Sequence, residues 1–113
     1  MHEYSLISAL LDRVAAEAKA HDGAVVHHLK VQIGELSGVE VDLFESAYEM
    51  LRESTICAGA DLEVIPVKAR WVCPRCERAI TSGEILRCPD CNLPARLAGG
   101  DEIVLERIEM EVP

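Results

Sequence analysis

Apolar residues recur at helical spacing from the start of the chain. Leu6, Ile7, Leu10, Leu11, Val14 and Ala18 fall on one face, which predicts an amphipathic helix over residues 4–20. Gly23, following His21 and Asp22, is the expected stop. The period then changes to two between Val25 and Gly34. Leu29, Val31 and Ile33 alternate with His28, Lys30 and Gln32, the pattern of a half-buried strand. A turn is expected over residues 34–38, and a second helix from Val39 or Asp42 to Glu53. Its predicted inner stripe is Leu43, Phe44, Ala47, Tyr48 and Leu51, with Asp42 and Glu45 spaced as a capping box. Leu62 to Val67 reads as a second strand. Ile103 to Val112 reads as a third, with Ile108, Met110 and Val112 alternating against Arg107, Glu109 and Glu111. The implied architecture is α+β: a small three-stranded sheet with two helices, built from residues 1–67 and 101–113. Residues 68–100 form a separate module inserted between two strands of that sheet.

The inserted module owes its existence to cysteine. Cys73-Pro74-Arg75-Cys76 and Cys88-Pro89-Asp90-Cys91 are two knuckles separated by eleven residues. Each turns two thiolates toward one centre, and two knuckles complete the tetrahedral sulfur set of a closed structural zinc site. Two disulfides would need an oxidising compartment, and iron could occupy the same four sulfurs. Glu3 and Asp12 stand where a secretory leader would place basic residues, so reduced thiols in a cytoplasmic protein are expected. Zinc is therefore the expected metal, in a zinc-ribbon-like arrangement. No apolar run reaches the length of a membrane span.

Charge removes one class of function. Residues 68–98 carry six basic and three acidic side chains, a formal +3, which leaves −12 for the remainder of a chain whose total is −9. Zinc with four thiolates contributes −2, so the module is near neutral. Phosphate contacts dominate nucleic-acid affinity, and a chain this acidic is not expected to bind nucleic acid.

Enzymatic equipment is also missing from the sequence. There is no phosphate-binding loop, no Ser/His/Asp or Cys/His grouping, and no open position on a four-cysteine zinc. The N-terminus offers different chemistry. Met1 should be retained, because its removal generally requires a small second residue and His2 is large. The α-amine, the His2 amide nitrogen and the His2 ring Nδ1 can close two fused chelate rings, a nitrogen-rich set that suits Ni(II) or Cu(II) better than zinc. Glu3 can add its amide nitrogen or its carboxylate. The other candidates read as structural: His27 and His28 at the strand start, His21 at a helix end, Cys57 as a buried thiol, Trp71 packed on the module. Glu40 reads as a first-turn helix residue, with a carboxylate near an N-terminal metal as the other reading.

Met1-His2-Glu3-Tyr4-Ser5, the run from Leu29 to Val39, the two Cys-Pro-x-Cys knuckles and Arg107-Ile108-Glu109 together resemble the HypA/HybF family. These are nickel-insertion accessory proteins of NiFe-hydrogenase maturation, and the resemblance covers essentially the whole chain. It implies a metallochaperone with nickel at Met1, His2 and Glu3 and structural zinc at Cys73, Cys76, Cys88 and Cys91. It implies as partners the GTPase HypB and the NiFe-hydrogenase large-subunit precursor, with urease served by some members, and is compatible with a homodimer. The eleven-residue spacer is slightly short for the family. The rival classes are a zinc-ribbon adaptor, which would bind nucleic acid in a salt-sensitive way, and an iron-containing electron carrier.

Overall fold

A computed structural model describes residues 2–81 and 85–113, with His2 described through its backbone only. The elements are α1 (His2–Ala20), β1 (Val25–Gly34), α2 (Val41–Leu51), β2 (Asp61–Val67), β3 (Arg70–Val72), β4 (Ala79–Ile80), β5 (Arg96–Gly99) and β6 (Ile103–Glu111). One three-stranded sheet has the order β2-β1-β6 and a second has the order β4-β3-β5. The fold is α+β, as the periodicities imply. The chain clusters into two compact units. The first comprises Met1–Gln32, Val39–Ile65 and Val104–Pro113, and the second Ile33–Gly38 and Pro66–Ile103.

In the first unit α1 and α2 pack together. The buried stripe of α1 is Ile7, Leu11, Val14 and Ala18. Each large aliphatic side chain removed from water in this way stabilises by about 1.5–3 kcal/mol. The helix starts at His2, two residues before the expected boundary, so that Glu3 occupies the first position of the same stripe and is buried. Asp22 and Gly23 have positive φ, and the N–H groups of Gly23 and Ala24 return to the Ala18 carbonyl, which ends the helix where expected. The buried face of α2 is Phe44, Ala47 and Tyr48. Leu43, predicted inside, is half exposed because it lies one position off that stripe. The capping box at Asp42 does not form. The helix begins one residue earlier, with Glu40 as N-cap and no side-chain cap.

The outer positions of β1 are tied to both neighbours. His28 Nε2 meets Glu63 of β2 at 2.9 Å, Lys30 Nζ meets Glu106 of β6 at 3.1 Å, and Gln32 also donates to Glu106. Beyond α2, Tyr48 closes the loop to β2. Its hydroxyl donates to the Ala60 carbonyl at 2.7 Å, and burial, followed by the neighbouring Cys57, pushes its pKa up to about 12. Arg52 Nη1 donates to the same carbonyl at 2.6 Å, and the guanidinium sits 5.4 Å over the Tyr48 ring. Since Ala60 keeps Arg52, the Tyr48→Phe variant should lose only about 1 kcal/mol in urea denaturation, a cost set by one hydrogen bond without an orphaned acceptor. A loss of 3 kcal/mol would mean that the hydroxyl organises more than this loop.

The second unit contains strands that the sequence reading left unassigned. β3 pairs antiparallel with β4 (Trp71 opposite Ile80) and with β5 (Trp71 opposite Leu97), with an irregularity between Arg70 and Trp71. The same unit holds a close crossing of three segments. Gly34 N–H donates to the Glu102 carbonyl, Glu35 N–H to Val67, and Leu36 N–H to Gly100, while the Glu35 carboxylate accepts from Ala69 N–H at 2.7 Å.

Candidate metal centre

Both cysteine knuckles are built the same way. Cys73 leaves the end of β3. The Glu77 N–H returns to its carbonyl at 2.9 Å, and its own N–H donates to the Arg78 carbonyl at 2.9 Å. In the second knuckle Asn92 N–H returns to the Cys88 carbonyl and Cys88 N–H donates to Leu93, each at 2.9 Å. The residue after each second cysteine has positive φ, 62° at Glu77 and 55° at Asn92, so each loop curls back beneath its own sulfurs. Arg75 N–H reaches Cys73 Sγ and Cys91 N–H reaches Cys88 Sγ, both at 3.4 Å. Arg78 Nη1 bonds Asp90 Oδ2 at 2.7 Å and so ties one knuckle to the other.

The four sulfurs of Cys73, Cys76, Cys88 and Cys91 all lie within 4.8 Å of one another. Cys76 Sγ and Cys88 Sγ are 3.8 Å apart. Sulfurs at tetrahedral corners about 2.3 Å from zinc are separated by about 3.8 Å, whereas a disulfide needs about 2.05 Å. The donor set therefore fits a tetrahedral thiophilic dication and not a pair of disulfides. Its electrostatics agree. The backbone N–H of Cys76, helped by that of Arg75, holds the Cys73 thiol down at about 6. Burial, followed by the surrounding thiols, pushes the Cys91 thiol up to about 12. Without a cation, charge on one sulfur opposes charge on the others; a dication lets all four ionise together. Cys73, Cys88 and Ile80 form the buried core of this unit, with Trp71, Cys91 and Ala95 packed on it.

At the N-terminus, Met1 and the side chain of His2 lie outside the described residues. Glu3 is 4 % exposed, and its Oε2 accepts from the Glu40 backbone N–H at 3.3 Å. Glu40 thus meets Glu3 through its backbone, at the entrance to α2, a role that neither reading of its side chain anticipates. His21 Nδ1 lies 2.9 Å from the Glu17 carbonyl and His27 Nε2 lies 3.4 Å from Glu111. Cys57 is fully buried and its thiol is raised by that burial, as expected for an inert side chain. Among the described residues, the four knuckle cysteines are the one grouping of His, Cys, Asp or Glu that converges on a common ion.

Residues 1–110 match the family model described as hydrogenase/urease nickel incorporation, metallochaperone, hypA. The chain belongs to the HypA family. The hydrogenase maturation factor HypA of Desulfitobacterium hafniense is 35 % identical over 115 residues, covering 98 % of this chain and 99 % of its own. That of Shewanella oneidensis is 33 % identical over 113 residues, covering 98 % and 96 %. The solution structure of the Ni metallochaperone HypA from Helicobacter pylori superposes with a TM-score of 0.72 at 28 % identity, covering 98 % of both chains. A second HypA solution structure gives 0.81 at 30 % identity, covering 98 % of this chain and 97 % of its own. HypA proteins are nickel-incorporation metallochaperones and not enzymes. Among the described residues, no helix is long and apolar enough to cross a membrane.

Proposed function

We propose that this chain binds Ni(II) through Met1, His2 and Glu3, holds structural zinc through Cys73, Cys76, Cys88 and Cys91, and delivers the nickel in the cytoplasm to the NiFe-hydrogenase large-subunit precursor. The observation that carries this reading is the match of residues 1–110, Met1, His2 and Glu3 among them, to a nickel-incorporation family.

Helix chemistry supports the N-terminal site. Because α1 begins at His2, the amides of His2 and Glu3 belong to its first turn, outside the ladder of bonds four residues apart. Deprotonating them for nickel sacrifices no helical hydrogen bond, and the positive end of the helix dipole favours an anionic amide. The Glu3 carboxylate already accepts from Glu40, which favours its amide nitrogen as the donor to nickel. Nickel binding through amides expels protons, so loading strengthens as pH rises. Release then proceeds by ligand exchange, as softer thiolates of the acceptor displace the nitrogens. Timing would come from the partner GTPase HypB, with urease as a further destination.

A nickel titration of zinc-loaded protein with its native N-terminus tests this against the same protein carrying one extra N-terminal glycine. The native form should bind tightly and the extended form weakly. His2→Ala should likewise lose tight nickel binding while retaining its zinc. Equal affinity in native and extended forms would move nickel elsewhere.

A further inference from the structure

The geometry points to Arg78 and Asp90 as positioning residues, a clasp that sets how fast the four-cysteine site gives up its metal. Neither is a ligand, and their role presupposes zinc at Cys73, Cys76, Cys88 and Cys91. The four sulfurs are unequally protected. Cys73 and Cys88, the first cysteine of each knuckle, are buried, and each Sγ accepts a backbone N–H, from Arg75 and from Cys91. Cys76 is exposed and Cys91 half-buried. The site thus has a closed half and an open half, and a competing ligand reaches the metal past the second cysteines.

The clasp joins the chain at that open half. Arg78 follows Cys76 by two residues, and Asp90 immediately precedes Cys91. Their contact of 2.7 Å between Nη1 and Oδ2 therefore bridges the two stretches that carry the less protected sulfurs. Both ends are rooted in rigid turns. The Arg78 carbonyl accepts from Cys73 N–H, and Asp90 lies inside the turn closed from Asn92 N–H to the Cys88 carbonyl. β3 and β5 also join the knuckles, with Val72 opposite Arg96, but that pairing secures the residue before Cys73 and neither of the second cysteines. Parting Cys76 from Cys91 means breaking the ion pair first. Its side chains are 51 % and 74 % exposed, which limits such a pair to a roughly two- to fivefold effect.

Zinc release from the full-length protein to an excess of the chromogenic chelator pyridylazoresorcinol tests this. Arg78→Gln and Asp90→Asn each remove one charge and little volume. Both should release zinc roughly two- to fivefold faster than the parent. The double variant R78Q/D90N should be no faster than the faster single variant, because the clasp breaks only once. A diffuse effect of charge on the sulfurs behaves otherwise: the two substitutions change net charge in opposite directions, so it would move the rates in opposite directions. At about 1 M salt, where screening acts within about 3 Å, parent and variants should converge. Should a variant lose its zinc during purification, Arg78→Lys and Asp90→Glu carry the same comparison with smaller expected changes. Equal rates in parent and variants, opposite shifts of the two single variants, or additive effects in the double variant each overturn the clasp. A parent that takes up no zinc overturns the metal reading itself, and the clasp falls with it.

Discussion

Serine at position 88 is expected to unfold the metal-bearing unit while leaving α1 and α2 in place. The reason lies in what that unit has for a core. Of the six described residues in the cluster around the sulfurs, Cys73, Cys88 and Cys91 are themselves candidate metal ligands, which leaves Trp71, Ile80 and Ala95. A buried isoleucine contributes about 1.5–3 kcal/mol, against a backbone ordering cost of about 1–2 kcal/mol for every residue fixed. Hydrophobic burial alone cannot hold the two short hairpins of this unit. Structural zinc in small modules contributes on the order of 10–16 kcal/mol of apparent free energy, and that term decides whether the unit folds. Cys88→Ser, or a strong chelator, should therefore release about one zinc per chain and expose Trp71, the sole tryptophan. Acid should do the same, because protons compete with the metal for all four thiolates. Zinc analysis beside Trp71 emission reads both effects. Unchanged emission in a zinc-free variant would show that the unit stands without metal.

Alanine at Gly34 should cost about 3 kcal/mol, at the upper end of what overpacking exacts. A Cβ there would lie 2.3 Å from the Gly100 carbonyl oxygen and 2.4 Å from its carbon, both backbone atoms that no rotamer change can move aside. Gly100 is constrained as well. Its φ is +95°, and a Cβ would stand 2.5 Å from Ala69 Cα. Gly59 is the internal control, since a Cβ added there meets nothing within 4 Å and φ is unremarkable. Gly59→Ala should stay within about 0.5 kcal/mol of the parent. Urea denaturation of the three alanine variants measures the contrast. A Gly34→Ala protein as stable as Gly59→Ala would mean the backbones are not packed as described.

These glycines illustrate what could be read from residue order and what could not. The period-3.6 stripe of α1 and the alternation of β1 are written in the positions of Leu, Ile and Val, and both elements form where those positions predict. The cysteine spacing likewise brought four sulfurs together. Glu3 was harder. A carboxylate at a stripe position reads as polar, and its burial is intelligible only once the Glu40 N–H, 37 residues away, is seen to receive it. β3, β4 and β5 span two to four residues, too few for any period to emerge. Leu43 was assigned inward because hydrophobicity does not say which side of a stripe boundary a residue falls on. The meeting of Gly34 with Gly100 joins segments 66 positions apart and carries no local signature.

That meeting also gives the metal-bearing segment the character of a cassette. The chain enters it past Lys68 and Ala69 and leaves it at Gly100, whose backbone stands against both of those residues. Entrance and exit thus share one doorway, and the distance from the end of β2 to the start of β6 is fixed there, whatever happens further along. Residues can be added or removed between the knuckles at only the slow logarithmic cost of a longer loop. An eleven-residue spacer can therefore be accommodated beyond the doorway, and the same doorway marks where the cassette could be lifted out or exchanged for another.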